Sequence, residues 1–204
     1  MSVTPPRDDH DTAAPGSLLG RDRSAVLVVD VQERFRGHVA GFEQMVAAIR
    51  LLLQGAALLG VPVAWSEQYP QGLGHTVAEL LEVMPEGSAS FEKLEISSVA
   101  SPAWRELPPA VRDAEQLIVV GIEAHVCVRQ TVLGLLEQHR SVHVPLDAIA
   151  SRGALEREVA IDAMVRAGAH ATTVEQVLFD WLGVAGTPEF KAVQGLLKAH
   201  AASA

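Results

Sequence analysis

A chain of 204 residues with 49% hydrophobic and 20% charged side chains has the material for one packed domain and is too apolar for a disordered polypeptide. Sixteen Lys and Arg against 25 Asp and Glu give a formal net charge of −9 at pH 7, and the acids are spread along the chain, so no basic stripe offers itself to nucleic acid or to an anionic membrane. A single cysteine forms no internal disulfide and no apolar run approaches the ~20 residues that span a bilayer, which predicts a reduced, cytoplasmic protein.

The opening stretch MSVTPPRDDHDTAAPGS is polar, carries three prolines and lacks the apolar run of a secretion signal. Residues 1–20 therefore read as a flexible tail and 21–204 as the folded domain. SAVLVVD, Ser24 to Asp30, is a continuous valine-rich run suited to a strand buried on both faces of a parallel sheet. Phe42, Met45, Ile49, Leu52, Leu53 and Ala56 then recur at intervals of three and four between Gly41 and Gly60, which predicts a helix stopped by Gly60. Val61–Trp65 reads as a second strand, with Pro62 at its beginning.

Residues 67–91 are rich in Gly, Pro and Ser and read as an irregular surface region that walls a pocket, with a short helix at Thr76–Leu81; Lys93 follows. Gln116–Val120 is another buried strand. After it Ala124, Cys127, Val128, Thr131, Val132 and Leu135 share one helical face, which places Cys127 in the first turns of a helix. Ser141–Val144 reads as a strand, Glu156–Ala167 as a helix with Val159, Ala160, Ala163, Met164 and Ala167 inward, His170–Val174 as a last strand and Pro188–His200 as a terminal helix. The alternation predicts an α/β, three-layer Rossmann-like fold with a mostly parallel central sheet flanked by helices.

In such a sheet, ligands bind beyond the carboxyl ends of the strands where strand order reverses, and both Asp30 and Cys127 stand at strand ends. A thiol near a helix N-terminus with a cation beside it ionises more readily, and Lys93 is a candidate for that cation. Asp30 suits a base that takes the thiol proton and returns it to a leaving amine, and the backbone N–H groups of the turn Gly121–Cys127 suit a developing oxyanion. His125 is the rival base. Residues two apart on a helix point different ways, so His125 reads instead as a pocket residue. Taken singly, Cys127 reads more readily as a small buried hydrophobe, Asp30 as a loop bond and Lys93 as a solvated charge, and only the three motifs together favour chemistry. Gln68 and Tyr69 read as pocket wall or turn, Phe35 and Trp104 as core or contact residues, and Glu67 with His75 offers too few ligands for a metal.

Three stretches carry a resemblance: AVLVVDVQERF with Asp30, FEKLEISSV with Lys93, and VVGIEAHVCVRQTVLGLLE with Cys127. They resemble the isochorismatase-like cysteine hydrolases, which include nicotinamidases and N-carbamoylsarcosine amidohydrolase, over residues 22–182. EQYPQGLGHTVAEL together with GIEAHV is most similar to the isochorismatase domain-containing branch. The resemblance implies a catalytic triad of Asp30, Lys93 and Cys127, a non-proline cis peptide between Ile122 and Glu123, and oxyanion donors in the backbone N–H groups of Glu123 and Cys127. It implies a homo-oligomer and cleavage of a C–N bond in a small-molecule amide or carbamoyl substrate through a Cys127 thioester; Phe35, Gln68, Tyr69 and His125 stand beside it as candidate substrate-binding residues read from their positions.

Two departures narrow this. Nicotinamidases carry a metal-binding Asp-x-His motif where Ser66-Glu67-Gln68-Tyr69-Pro70 stands here, so no metal and no other cofactor is expected. Members that cleave the vinyl ether of isochorismate typically lack the cysteine. The alternatives are such a vinyl ether hydrolase, or a non-catalytic member acting as an oligomeric ligand-binding module.

Overall fold

The computed structural model describes residues 18–203. Its six strands are β1 (Ser24–Val29), β2 (Val63–Gln68), β3 (Ala89–Lys93), β4 (Gln116–Gly121), β5 (Ser141–Pro145) and β6 (His170–Thr172), all parallel and ordered β3-β2-β1-β4-β5-β6. This is the doubly wound order in which the chain reverses direction between β1 and β4, leaving a crevice beyond their carboxyl ends. Eight α-helices connect or follow the strands: α1 (Phe42–Leu59), α2 (Pro70–Leu73), α3 (Ala78–Leu81), α4 (Pro109–Arg112), α5 (Arg129–Glu137), α6 (Ala154–Arg166), α7 (Val174–Leu182) and α8 (Pro188–Ser203).

Alternation along β1 divides the core into two layers. Val26 and Val28 face α1, α7 and α8, where Ile49, Leu52, Leu53, Leu178 and Trp181 pack; Ala25, Leu27 and Val29 face α5 and α6, where Val132, Leu135 and Met164 pack. The three-layer α/β expectation is met. At 18 residues α1 is long and apolar enough by composition to cross a membrane, but its apolar side chains form the core beneath the sheet. The glycine at its end works as the sequence suggests: Gly60 has φ 72° and its N–H bonds the Ala56 carbonyl.

Several boundaries differ from expectation. β2 starts at Val63 and runs on to Gln68, so Ser66 and Gln68 reach the sheet's functional end. The stretch read as irregular to residue 91 closes with a full edge strand, β3, in which Phe91 and Lys93 are buried and Ser90 and Glu92 exposed. In α6 only Ala160 and Met164 are buried, whereas Val159 is exposed and Ala167 lies past the helix on the surface. Arg157 takes the inward place instead, its guanidinium donating to the carbonyls of Ile149 and Leu146. The last strand stops at Thr172, and Thr173 caps α7 with Gln176, a helix absent from the sequence reading. Of the expected tail, residues 1–17 lie outside the described residues. Leu19 is buried and donates to Asp180, while Gly20 donates to the Gln116 side chain.

Candidate active site

The site assembles where the chain leaves β1, β3 and β4. Asp30 follows β1 in the left-handed region, φ 54°, with its N–H bonded to the Ser66 carbonyl at 3.1 Å. That backbone turns its carboxylate inward. Ser66 Oγ donates to one carboxylate oxygen at 2.7 Å and Lys93 Nζ to the other at 2.7 Å. The ion pair is fully enclosed, with side-chain exposures of 0% for Lys93 and 2% for Asp30.

Lys93 reaches Asp30 because β3 pairs with β2 in a register that sets Lys93 opposite Gln68. Its ammonium also donates to Gln68 Oε1 at 2.6 Å and to the carbonyls of Glu95 and Ile96 at 3.2 and 3.3 Å. Gln68 is held in turn. Its Nε2 donates to the Leu94 carbonyl, and buried Gln32 grips its backbone, accepting from Gln68 N at 2.9 Å and donating to Gln68 O at 3.0 Å. The segment after Lys93 is tied to the cysteine's own helix, because Ser98 N donates to Thr131 Oγ1 and Ser97 Oγ to the Gln130 carbonyl.

Cys127 arrives from β4. Gly121 ends that strand with φ 115°, and a Cβ there would lie 2.1 Å from the Val29 carbonyl oxygen, so only glycine lets the β1 and β4 ends approach this closely. The Ile122–Glu123 peptide is cis, as the resemblance implies. A single π-helical turn, Ala124–Val128, then presents Cys127 before α5 begins. Every residue of the face expected to be buried there, from Ala124 through Cys127 to Leu135, is buried.

The electrostatics correct one expectation. Cys127 was expected to be partly ionised by Lys93, but burial, and after it the negative charge of Asp30, push its thiol up to about 12, outweighing the pull of Lys93. The resting sulfur is a thiol. Burial also pushes the Asp30 carboxyl upward, against Lys93, Ser66 and Cys127, which makes it a stronger proton acceptor than an exposed aspartate. The arrangement therefore sets a buried base beside a protonated thiol and fixes both with a cation.

The remaining expected pocket residues lie in different settings. Phe35 ends a short 3-10 turn and is half-buried against the α1 side of the core. Both ends of the Gln68 amide are engaged, one of them by Lys93. Tyr69 is half exposed, with φ 38°, and lines an open cleft of about 480 Å³ against β3 together with Pro70, Lys93, Glu95 and Ser101. His125 Nδ1 bonds Ser151 Oγ, at 3.1 Å. Trp104 is core, edge-on to Phe91. Glu67 accepts from Thr76 N, Thr76 Oγ1 and His75 Nδ1 and so fastens the loop after α2. Among the described residues, no three His, Cys, Asp or Glu side chains gather as a metal site.

One partner in this region was missed. Glu123, buried at the start of the cysteine turn, accepts from Arg152 three times: from its backbone N at 3.1 Å, Nε at 3.0 Å and Nη2 at 2.6 Å. The pairing holds the Glu123 carboxyl below its ordinary range. Nothing in the local sequence links two residues so far apart in the chain.

With this geometry in place, comparison with known proteins is specific. The isochorismatase domain family matches residues 24–176. Isochorismatase domain-containing protein 2 of Pongo abelii is 40% identical over 189 residues, covering 91% of this chain and 90% of that protein. Among solved structures, one described as MAR1 ribonuclease from Caenorhabditis elegans is 38% identical with a TM-score of 0.84, covering 89% of this chain and 93% of that one. YcaC from Pseudomonas aeruginosa, described with hexane-2,5-diol and covalent acrylamide, is 26% identical with a TM-score of 0.80, covering 90% and 94%. The chain belongs to the isochorismatase family of hydrolases.

Proposed function

We propose that this protein is a cysteine hydrolase that cleaves the C–N bond of a small amide or carbamoyl compound through a thioester on Cys127. The observation that carries the reading is the enclosed Lys93–Asp30 pair interacting with the Cys127 thiol at the sheet's reversal point. A buried ion pair is weak evidence for stability, since desolvation offsets its attraction, and here it lies beside the chain's only nucleophilic sulfur.

In the proposed cycle, Cys127 sulfur bonds to the substrate carbonyl carbon as Asp30 takes the thiol proton. The backbone N–H groups of Glu123 and Cys127 receive the negative oxygen. The C–N bond then breaks, Asp30 passes its proton to the departing amine, and water, deprotonated by Asp30, hydrolyses the thioester and restores the thiol. Lys93 acts by its charge and by position, with each of its donors facing an acceptor. Covalent acrylamide on the YcaC relative supports a reactive nucleophile in the family, since acrylamide is an acceptor that thiols attack. The enclosed triad needs no residue from a second copy, and homo-oligomerisation remains part of the proposal.

A second reading rests on the C. elegans relative, whose description is of a ribonuclease. Against it stands the net charge of −9, which opposes a polyanion. The test is a screen of small amides, carbamoyl compounds, isochorismate and single-stranded RNA against wild type and Cys127→Ala. We expect amide or carbamoyl turnover in wild type, a thioester adduct on Cys127 by mass spectrometry of quenched reactions, and loss of essentially all turnover in the alanine variant. Undiminished turnover in Cys127→Ala, or activity confined to isochorismate or RNA, contradicts the covalent C–N reading. Binding without turnover of any compound supports a ligand-binding module instead.

A further inference from the structure

The segment Ile149–Arg152, after β5, is zipped along the cysteine turn. Gly121 and Ile149 form a parallel bridge, Ala150 N donates to Gly121 O at 3.3 Å, and Ala124 N donates to Ala150 O at 2.8 Å. Ser151 Oγ meets His125 Nδ1 at 3.1 Å. Arg152 then closes the zip on the Glu123 carboxylate with its backbone N–H and two guanidinium nitrogens.

Glu123 matters to the turn beyond its side chain. Its backbone is extended, φ −82° and ψ 142°, and its carbonyl accepts from both Val126 N and Val128 N, so it is the hinge on which the turn carrying Cys127 is built. Its carboxylate is 7% exposed and drawn out to a guanidinium that is 64% exposed. The side chain is thereby drawn to Arg152 while its carbonyl is held by the turn, so the residue is gripped on both sides.

We propose that Arg152 is a positioning residue for the oxyanion site: by holding the Glu123 carboxylate it fixes the Glu123 backbone N–H at the angle needed to receive the negative oxygen of the tetrahedral intermediate. This rests on the reading of Cys127 as the nucleophile. It separates two kinds of reaction at one sulfur. Acylation passes through an oxyanion and needs the donors, whereas alkylation displaces a halide at saturated carbon and does not.

The experiment compares the two in one protein. p-Nitrophenyl acetate acylates: sulfur bonds to the acetyl carbon, the thiol proton passes to Asp30, and the C–O bond breaks to release p-nitrophenolate, read as a burst. It is uncharged, so it offers Arg152 no anionic group to pair with. Iodoacetamide alkylates, read by intact mass. In Arg152→Met the acylation rate should fall at least tenfold while alkylation stays within about twofold of wild type. Glu123→Gln, which keeps an acceptor but loses the charge, should give a smaller fall of the same kind, and Arg152→Lys should recover part of the rate.

Wild-type acylation in Arg152→Met overturns the inference. So does an equal fall in both reactions, which assigns Arg152 to general support of the fold. A wild-type thiol that neither reagent modifies, or Cys127→Ala acylated as fast as wild type, brings down the nucleophile reading and this inference with it.

Discussion

The Lys93–Asp30 and Glu123–Arg152 pairs both serve the loops around Cys127, and they differ in how much water reaches the cation. Lys93 is wholly enclosed and faces four acceptors, whereas the Arg152 side chain is 64% exposed and faces one carboxylate and solvent. The enclosed pair cannot be broken without leaving a charge stranded in a low-dielectric interior. The open pair can be loosened at modest cost. The first kind of contact suits a group that must hold one place through a reaction, and the second suits a brace whose effect is on geometry.

Lys93→Met should be the most disruptive break. It leaves the Asp30 carboxylate buried with only Ser66 and Cys127 as partners, and removing one member of a buried pair costs about 3–5 kcal/mol. The same change should raise the pH at which Cys127 is alkylated, because the cation favouring its thiolate has gone. Urea unfolding at pH 7 and pH 5 sharpens this. The stranded carboxyl, already pushed upward by burial, takes a proton more readily once Lys93 is absent, so the deficit should shrink at the lower pH. An unchanged deficit would mean that the loss is one of packing.

Arg152→Met should cost about 1–2 kcal/mol, the scale of lost hydrogen bonds to a charged group, because water reaches much of the arginine's side of the contact. The Glu123 carboxyl is depressed by that pairing, so its contribution is present above the ordinary glutamate range and is lost as pH falls through the lowered value. Wild type and Arg152→Met should therefore converge in stability as the pH falls well below the ordinary glutamate range. A gap that persists there would remove the ion pair as its cause.

His143 lies outside both pairs and bears only on how stability varies with pH. It stacks on His170 at 4.7 Å between β5 and β6, and burial, with His170 second, pushes it down to about 4. An unfolded histidine takes its proton near 6.5, so stability is full above that pH and declines toward pH 4. Between pH 7 and pH 5 this amounts to about 2 kcal/mol. His143→Gln should flatten the urea-derived stability over that interval, and an unaltered slope would assign the acid sensitivity to other groups.

What the sequence discloses depends on how local the cause is. β1, α1 and the buried face through Cys127 are legible because their apolar spacing is continuous within one element. β3 is not, although Phe91 and Lys93 alternate with Ser90 and Glu92, because an inward lysine paired with Asp30 breaks the apolar pattern. α7 carries a Thr173–Gln176 capping box, a start signal masked by the apparent continuation of the strand pattern to Val174. The family motifs brought Asp30, Lys93 and Cys127 together. The grip of Gln32 on Gln68, the Ser66 bond to Asp30 and the Glu123–Arg152 pair depend on distant segments, and the protonated state of Cys127 depends on burial that no linear pattern contains.

The role of Asp30 is tested most directly by the rate at which iodoacetamide modifies Cys127 at pH 7 in wild type and Asp30→Asn. The negative charge of Asp30 raises the thiol's pKa, so its removal alone would make the thiol more acidic and the alkylation faster. If Asp30 is the base that accepts the proton as sulfur attacks, the asparagine variant should instead react about 100-fold more slowly, the lower end of what a positioned general base contributes. A variant that reacts as fast as wild type or faster would contradict the account.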